Sequence, residues 1–97
     1  MRIIARKTLR IFWEKHADAE MSLRAWFHEA KVAKWKNFQQ IKKLYPAADV
    51  RLNNRVIFDI KGNRYRLIAK IHYNTGIVYL RFVGTHEQYS RINPDTV

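Results

Sequence analysis

The segment RVIFDI (55–60), KGNR (61–64), YRLIAKIHY (65–73), NTG (74–76), IVYLRFV (77–83) decides the fold. Val56, Phe58 and Ile60 alternate with Arg55, Ile57 and Asp59, the period of two that a half-buried strand requires. Lys61-Gly62-Asn63-Arg64 reads as a turn. A second strand follows from Tyr65 to about Tyr73, then Asn74-Thr75-Gly76 as the next turn and a third strand from Ile77 to Val83. Side-chain parity orients the strands. Leu67, Ala69, Ile71 and Tyr73 share one side, as do Val78, Leu80 and Phe82 on the next strand. Pairing the two apolar sets, for instance Tyr73 opposite Val78, keeps Arg81 out of the core, where an unpaired guanidinium costs several kcal/mol. The same logic sets Phe58 opposite Leu67 and Asp59 opposite Arg66.

Upstream of Pro46 the period is helical. Leu9, Phe12 and Trp13 recur at helix spacing over Lys7 to about His16. A second helix is expected from about Asp18 to Lys36, with Met21, Leu23, Trp26, Phe27 and Ala30 on its apolar face, acids at its start and lysines at its end. Asn37 is placed to cap a third, from Phe38 to Tyr45, which Pro46 stops. Met1 to Ala5 is consistent with a strand, and Gly84 to Val97 with one helical turn around Glu87–Arg91 that frays after Pro94. The expectation is one α+β domain over residues 1–97. An N-terminal strand and two to three helices pack on one face of an antiparallel three- to four-stranded sheet.

Nineteen Lys and Arg against eight Asp and Glu give the 97-residue chain a formal charge of +11 and a pI near 10.4. That excess attracts polyanions, nucleic acid first among them. The absence of cysteine excludes disulfides, thiolate metal sites and a cysteine nucleophile. No segment reads as a signal peptide or membrane span, so a soluble cytoplasmic protein without membrane contact is expected. There is no Gly-rich phosphate loop and no Ser/His/carboxylate triad. His16 and His28 suggest no metal site. The sheet face opposite the helices is expected to carry Arg66, Lys70, His72, Tyr79 and Arg81, a combination of cations, aromatic ring and imidazole that suits phosphate and base contacts. The plainer reading takes Arg66 and Asp59 as an ordinary cross-strand ion pair and His72 and Tyr79 as ordinary strand residues.

Three motifs recur in order in the second half: Gly62-Asn63, Tyr65-Arg66-Leu67, and Thr85-His86 followed three residues later by Tyr89, with Pro46-Ala47-Ala48-Asp49 ahead of the strands. On these the second half resembles HigB-type toxins of the RelE-like superfamily. The resemblance covers nearly the whole chain. It implies a RelE-like fold and a metal-free, cofactor-free endoribonuclease that cuts translated mRNA on the ribosome. It also implies a cognate antitoxin, commonly a helix-turn-helix protein, with which the toxin binds operator DNA.

Metal-free RNA cleavage needs a base for the 2′-hydroxyl, positive charge on the phosphorane and an acid for the departing 5′-oxygen. The resemblance implies Arg66 and Arg81 as the phosphate clamp. His86 is the candidate acid or base, because its ordinary pKa lies near neutrality, and Tyr89 either stacks on a base or shares the proton transfer. Asn63 and Arg64 would position the RNA backbone, with Lys61 and Lys70 supplying field and His72 and Tyr79 further contacts. Competing roles stand beside these: Asn63 as a left-handed turn residue, His86 within a terminal helical turn capped by Thr85, and Tyr89 as the residue folding that turn onto the sheet. At the level of function the alternatives are a non-catalytic RNA- or DNA-binding module, a toxin of the same fold with a non-RNA target such as a topoisomerase, and a small ribosome-associated structural protein.

Overall fold

The change of period at Pro46 divides the molecule into a helical layer and a sheet. The computed structural model describes residues 1–97. In chain order it contains β1 (Arg2–Ile4), α1 (Lys7–Lys15), a 3-10 turn (Ala17–Ala19), α2 (Glu20–Val32), α3 (Phe38–Leu44), β2 (Asp49–Arg51), β3 (Arg55–Ile60), β4 (Tyr65–His72), β5 (Ile77–Thr85) and α4 (His86–Tyr89). The sheet order is β1-β5-β4-β3-β2. Strands β2 to β5 form an antiparallel meander, and β1 lies parallel to β5. This is the expected α+β class, with a five-stranded mixed sheet.

Leu9, Phe12 and Trp13 of α1, Leu23, Trp26 and Ala30 of α2 and Ile41 of α3 are buried against Val56, Phe58, Leu67, Ala69, Ile71 and Val78 of the sheet. Phe58 is the hub. Trp26 and Tyr45 meet its ring edge-on at 5.3 and 5.1 Å, and Trp35 stacks near it at 6.3 Å. Trp35 explains why α2 stops at Val32 instead of running to Lys36. Ala33 is extended (ψ 155°), which swings Trp35 inward to 4% exposure. Asp18 likewise lies in the 3-10 turn rather than in α2. Asn37 caps α3 as expected, its side chain accepting from the Gln40 amide at 3.1 Å.

Between β3 and β4 the expected register is observed, with Phe58 opposite Leu67 and Asp59 opposite Arg66. The β4–β5 pairing differs. Val78 faces Ile71 instead of Tyr73, since β4 ends at His72 and Gly76, at φ 71°, completes the turn. The expected parity holds as far as Ala69 opposite Leu80, and then a bulge takes Arg81 out of the ladder, so that Ile68 faces Phe82 and Leu67 faces Val83. A bulge inserts one residue and reverses which side chains point where. Val83 therefore joins the core side, and Phe82, expected there, moves to the opposite face.

That opposite face is covered in part. Ile57 and Ile68 are 4% and 0% exposed, yet neither belongs to the helix-side core. They line up with Phe82 across three strands. α4 and the segment after it fold back over this face: Tyr89 lies 6.4 Å from the Phe82 ring, and the Asp95 carboxylate accepts from the Leu52 amide at 3.1 Å. The tail does not fray after Pro94, because Thr96 and Val97 close a turn on the Asn93 carbonyl.

Candidate nucleic-acid interface and active site

The ten residues singled out in the sequence fall into three groups. The first surrounds the junction of β5 and α4. Thr85 caps α4 with a reciprocal pair of bonds: its hydroxyl accepts from the Gln88 amide at 3.1 Å, and Gln88 Oε1 accepts from the Thr85 amide at 2.9 Å. This capping box satisfies amides that a four-residue helix would otherwise leave open, and it fixes the directions of His86 and Tyr89. His86 Nε2 meets the main-chain oxygen of Asn63. A carbonyl oxygen only accepts, so in this contact Nε2 is the donor. Arg66 donates from Nη1 to the same Asn63 oxygen at 3.2 Å and pairs with Asp59 at 2.9 Å. Its guanidinium carbon stands 5.8 Å from the centre of the Tyr89 ring. The Tyr89 hydroxyl lies beside Arg51, whose pKa is raised first by that neighbour and then by Asp49.

Asn63 thus works through its backbone. The left-handed positions of this turn are Lys61 and Gly62, at φ 54° and 66°, so Asn63 is not the left-handed residue. The Arg66–Asp59 ion pair of the plainer reading is present. It and the contacts to Asn63 and Tyr89 belong to one arginine.

The second group lies further along the sheet. Cross-strand register sets Arg51, Arg55, Lys70 and Tyr79 in one row over four strands, with the His72 ring edge-on to Tyr79 at 5.0 Å. Arg81, released by the bulge, turns its Nε to the Val97 main-chain oxygen at 3.2 Å. Arg55 donates to that same oxygen from Nε and Nη2 at 2.9 and 2.8 Å. Sequence reading passed over Arg55 and Arg51. For Arg55 the signal was present, since it alternates with Val56 and Phe58 and so belongs to the face of Arg66.

The third group points elsewhere. Arg64 and Lys61 reach Asp18 at 2.8 and 3.5 Å, and the Tyr65 hydroxyl donates to the same carboxylate. The Tyr65 and Arg64 bonds hold the Asp18 pKa down at about 2. This cluster ties the β3–β4 turn to the helical layer, so both cations are committed to an internal carboxylate. A separate groove of about 460 Å³ opens between α1 and α4, lined by residues that include Ile11, Lys15, His16, Phe82 and Arg91. None of the ten residues lines it.

A basic face with arginine, imidazole and tyrosine gathered at one end offers cations for phosphate oxygens and a ring for stacking. The family described as HigB toxin, the RelE-like toxic component of a toxin–antitoxin system, matches residues 19–92. The chain belongs to the HigB toxin family. Relatives include the mRNA interferase toxin HigB of Escherichia coli K12, 26% identical over 91 residues that cover 92% of this chain and 88% of that protein. The mRNA interferases HigB of Escherichia coli O157:H7 and Shigella flexneri are similar to the same degree. The matched residues run from the end of the 3-10 turn to just past α4. No helix of it is long and apolar enough to cross a membrane.

Proposed function

We propose that this protein is the endoribonuclease toxin of a toxin–antitoxin pair, cutting mRNA by attack of the 2′-hydroxyl on the adjacent phosphorus. The observation that carries the reading is the convergence of Arg66, His86 and Tyr89 at the β5–α4 junction of a chain whose relatives are named mRNA interferases. His86 Nδ1 takes the 2′-hydroxyl proton. The 2′-oxygen attacks phosphorus, giving a 2′,3′-cyclic phosphate and expelling the 5′-oxygen, which receives its proton from Tyr89 or from the His86 imidazolium formed in the first step. Arg66 neutralises the charge that builds on the non-bridging oxygens, and Arg81, further along the sheet, holds an adjacent phosphate of the strand, roles planar guanidinium groups fit. Lys70, His72 and Tyr79 continue the track along the sheet for flanking nucleotides. Lys61 and Arg64 contribute field, held as they are by Asp18. The route needs no metal and no cofactor.

The same reading has the toxin acting on translating ribosomes in the cytoplasm. A helix-turn-helix antitoxin silences it, and the complex sits on operator DNA. The test is induced expression of the wild type and of His86→Ala in a bacterium, with new 5′ ends mapped on mRNA. Growth arrest with cuts in translated messages, both lost in a folded His86→Ala, is the expected result. Growth arrest without cuts would move the target away from RNA.

A further inference from the structure

Arg55 is 6% exposed and is the one charged side chain buried in the molecule. A buried guanidinium requires a partner of compensating charge or well-aimed acceptors. Its acceptor is the Val97 oxygen, which it shares with Arg81 from two strands away. The oxygen takes a fork of two bonds from Arg55 and a single one from Arg81, contacts of the kind a non-bridging phosphate oxygen accepts. Lys70 and Tyr79 follow Arg55 in the same cross-strand row, giving the cradle a further cation and a stacking surface.

The segment that supplies the oxygen is lightly attached. Residues 93–97 form a local turn, with Asp95, Thr96 and Val97 amides bonded back to Asn93. Beyond the two arginines, the bond that holds them to the rest of the chain runs from the Leu52 amide, in the turn between β2 and β3, to the Asp95 carboxylate. Such a segment opens at small cost.

We propose that Arg55 and Arg81 form a phosphate cradle for the RNA backbone, and that residues 93–97 are a self-ligand seated in it which RNA displaces. This rests on the reading of the chain as an RNA-cleaving toxin. It adds a binding residue and an internal competitor to it. Displacement makes a prediction that a merely structural tail does not. Arg55 holds both competitors, so its loss weakens the strap as well as the RNA, and the two effects are coupled.

The probe is a fluorescent single-stranded oligonucleotide, fully 2′-O-methylated so that 2′-hydroxyl attack is blocked, with binding read by anisotropy at fixed salt. Removal of residues 93–97, and separately Asp95→Ala, is expected to tighten binding by about threefold to tenfold. Glu14→Gln, the same charge change on α1, gives the reference for net charge alone. Arg55→Gln is expected to weaken binding by about tenfold in the shortened chain, the scale of one charge-assisted bond, and by less in the full chain. Unchanged or weaker binding on removal of the segment, or an Arg55→Gln effect equal in both backgrounds, overturns the proposal. If circular dichroism shows Arg55→Gln unfolded, the two strap variants decide against Glu14→Gln. Coupling without cuts in unmodified RNA would sink the ribonuclease reading and leave the cradle. Cuts without coupling would sink the cradle alone.

Discussion

His86 is the first residue of α4, its Nε2 engaged by the Asn63 oxygen and its Nδ1 free to act. In His86→Ala cleavage is expected to fall by about 10²–10⁴, the usual worth of a positioned acid–base group, while thermal unfolding stays close to wild type because the side chain is exposed. A folded variant that still cuts at full rate would remove His86 from the chemistry. Gly84 offers a second test from packing alone. A Cβ there would stand 2.5 Å from Phe82 Cζ and 2.8 Å from Gln88 Oε1. Gly84→Ala therefore displaces the ring under α4 and the Gln88 arm of the capping box. A loss of about 1–3 kcal/mol is expected from overpacking, read as a lower unfolding midpoint together with slower single-turnover cleavage. At this scale the sequence was a partial guide. Arg66, His86 and Tyr89 were placed by motif and do converge. Arg64 and Lys61 looked equally available, but their partner, Asp18, lies more than 40 residues earlier, and nothing local announces that pairing.

Among the elements, the β3–β4 turn and the helical layer are joined by Asp18. Its carboxyl is held at about 2, below its usual value near 3.8. The sign follows from linkage: a carboxyl whose pKa is depressed by folding contributes stability that is present above the unfolded value and lost as pH falls toward the folded one. The unfolding midpoint should drop between about pH 4 and pH 2, and Asp18→Asn should flatten that part of the profile. An identical acid slope in the variant would assign the effect to other carboxylates. In the core, Phe58→Ala removes the ring that Trp26, Trp35 and Tyr45 share, and about 3–5 kcal/mol of stability is expected to go with it, measured by denaturant unfolding. The β3–β4 register was legible because alternation is unbroken on both strands. The bulge at Arg81 was not. Parity assumes one residue per rung, and IVYLRFV carries no glycine or proline to mark the extra one. The short strand β2 was legible in principle: Asn53 and Asn54 both adopt left-handed φ, at 57° and 61°, and asparagine is, after glycine, the residue most suited to that turn.

For the whole molecule, the charge of +11 is distributed so that Arg55, Arg66, Lys70 and Arg81 share one face of the sheet. About four phosphate contacts on a single strand imply log affinity falling with log salt at a slope of about −3, and Arg81→Gln should reduce its magnitude by about 0.7. A DNA oligonucleotide of the same sequence should bind with a similar slope and remain uncut, since it has no 2′-hydroxyl. Cleavage of that DNA would exclude the proposed attack.

The strand order has a consequence for the birth of the protein. β1 comes more than seventy residues before its only neighbour in the sheet, β5, and pairs with it through Arg2–Ile4 beside Ile77–Tyr79. Until residue 79 has been synthesised, β1 has no edge to pair with, and Leu9 and Phe12 of α1 lack Val78, which belongs to the same core. The α4 residues come later still. Long-range pairing of this kind is slow to form, so β1 joins the sheet late: a protein that folds as it is made completes this edge only after β5 has emerged.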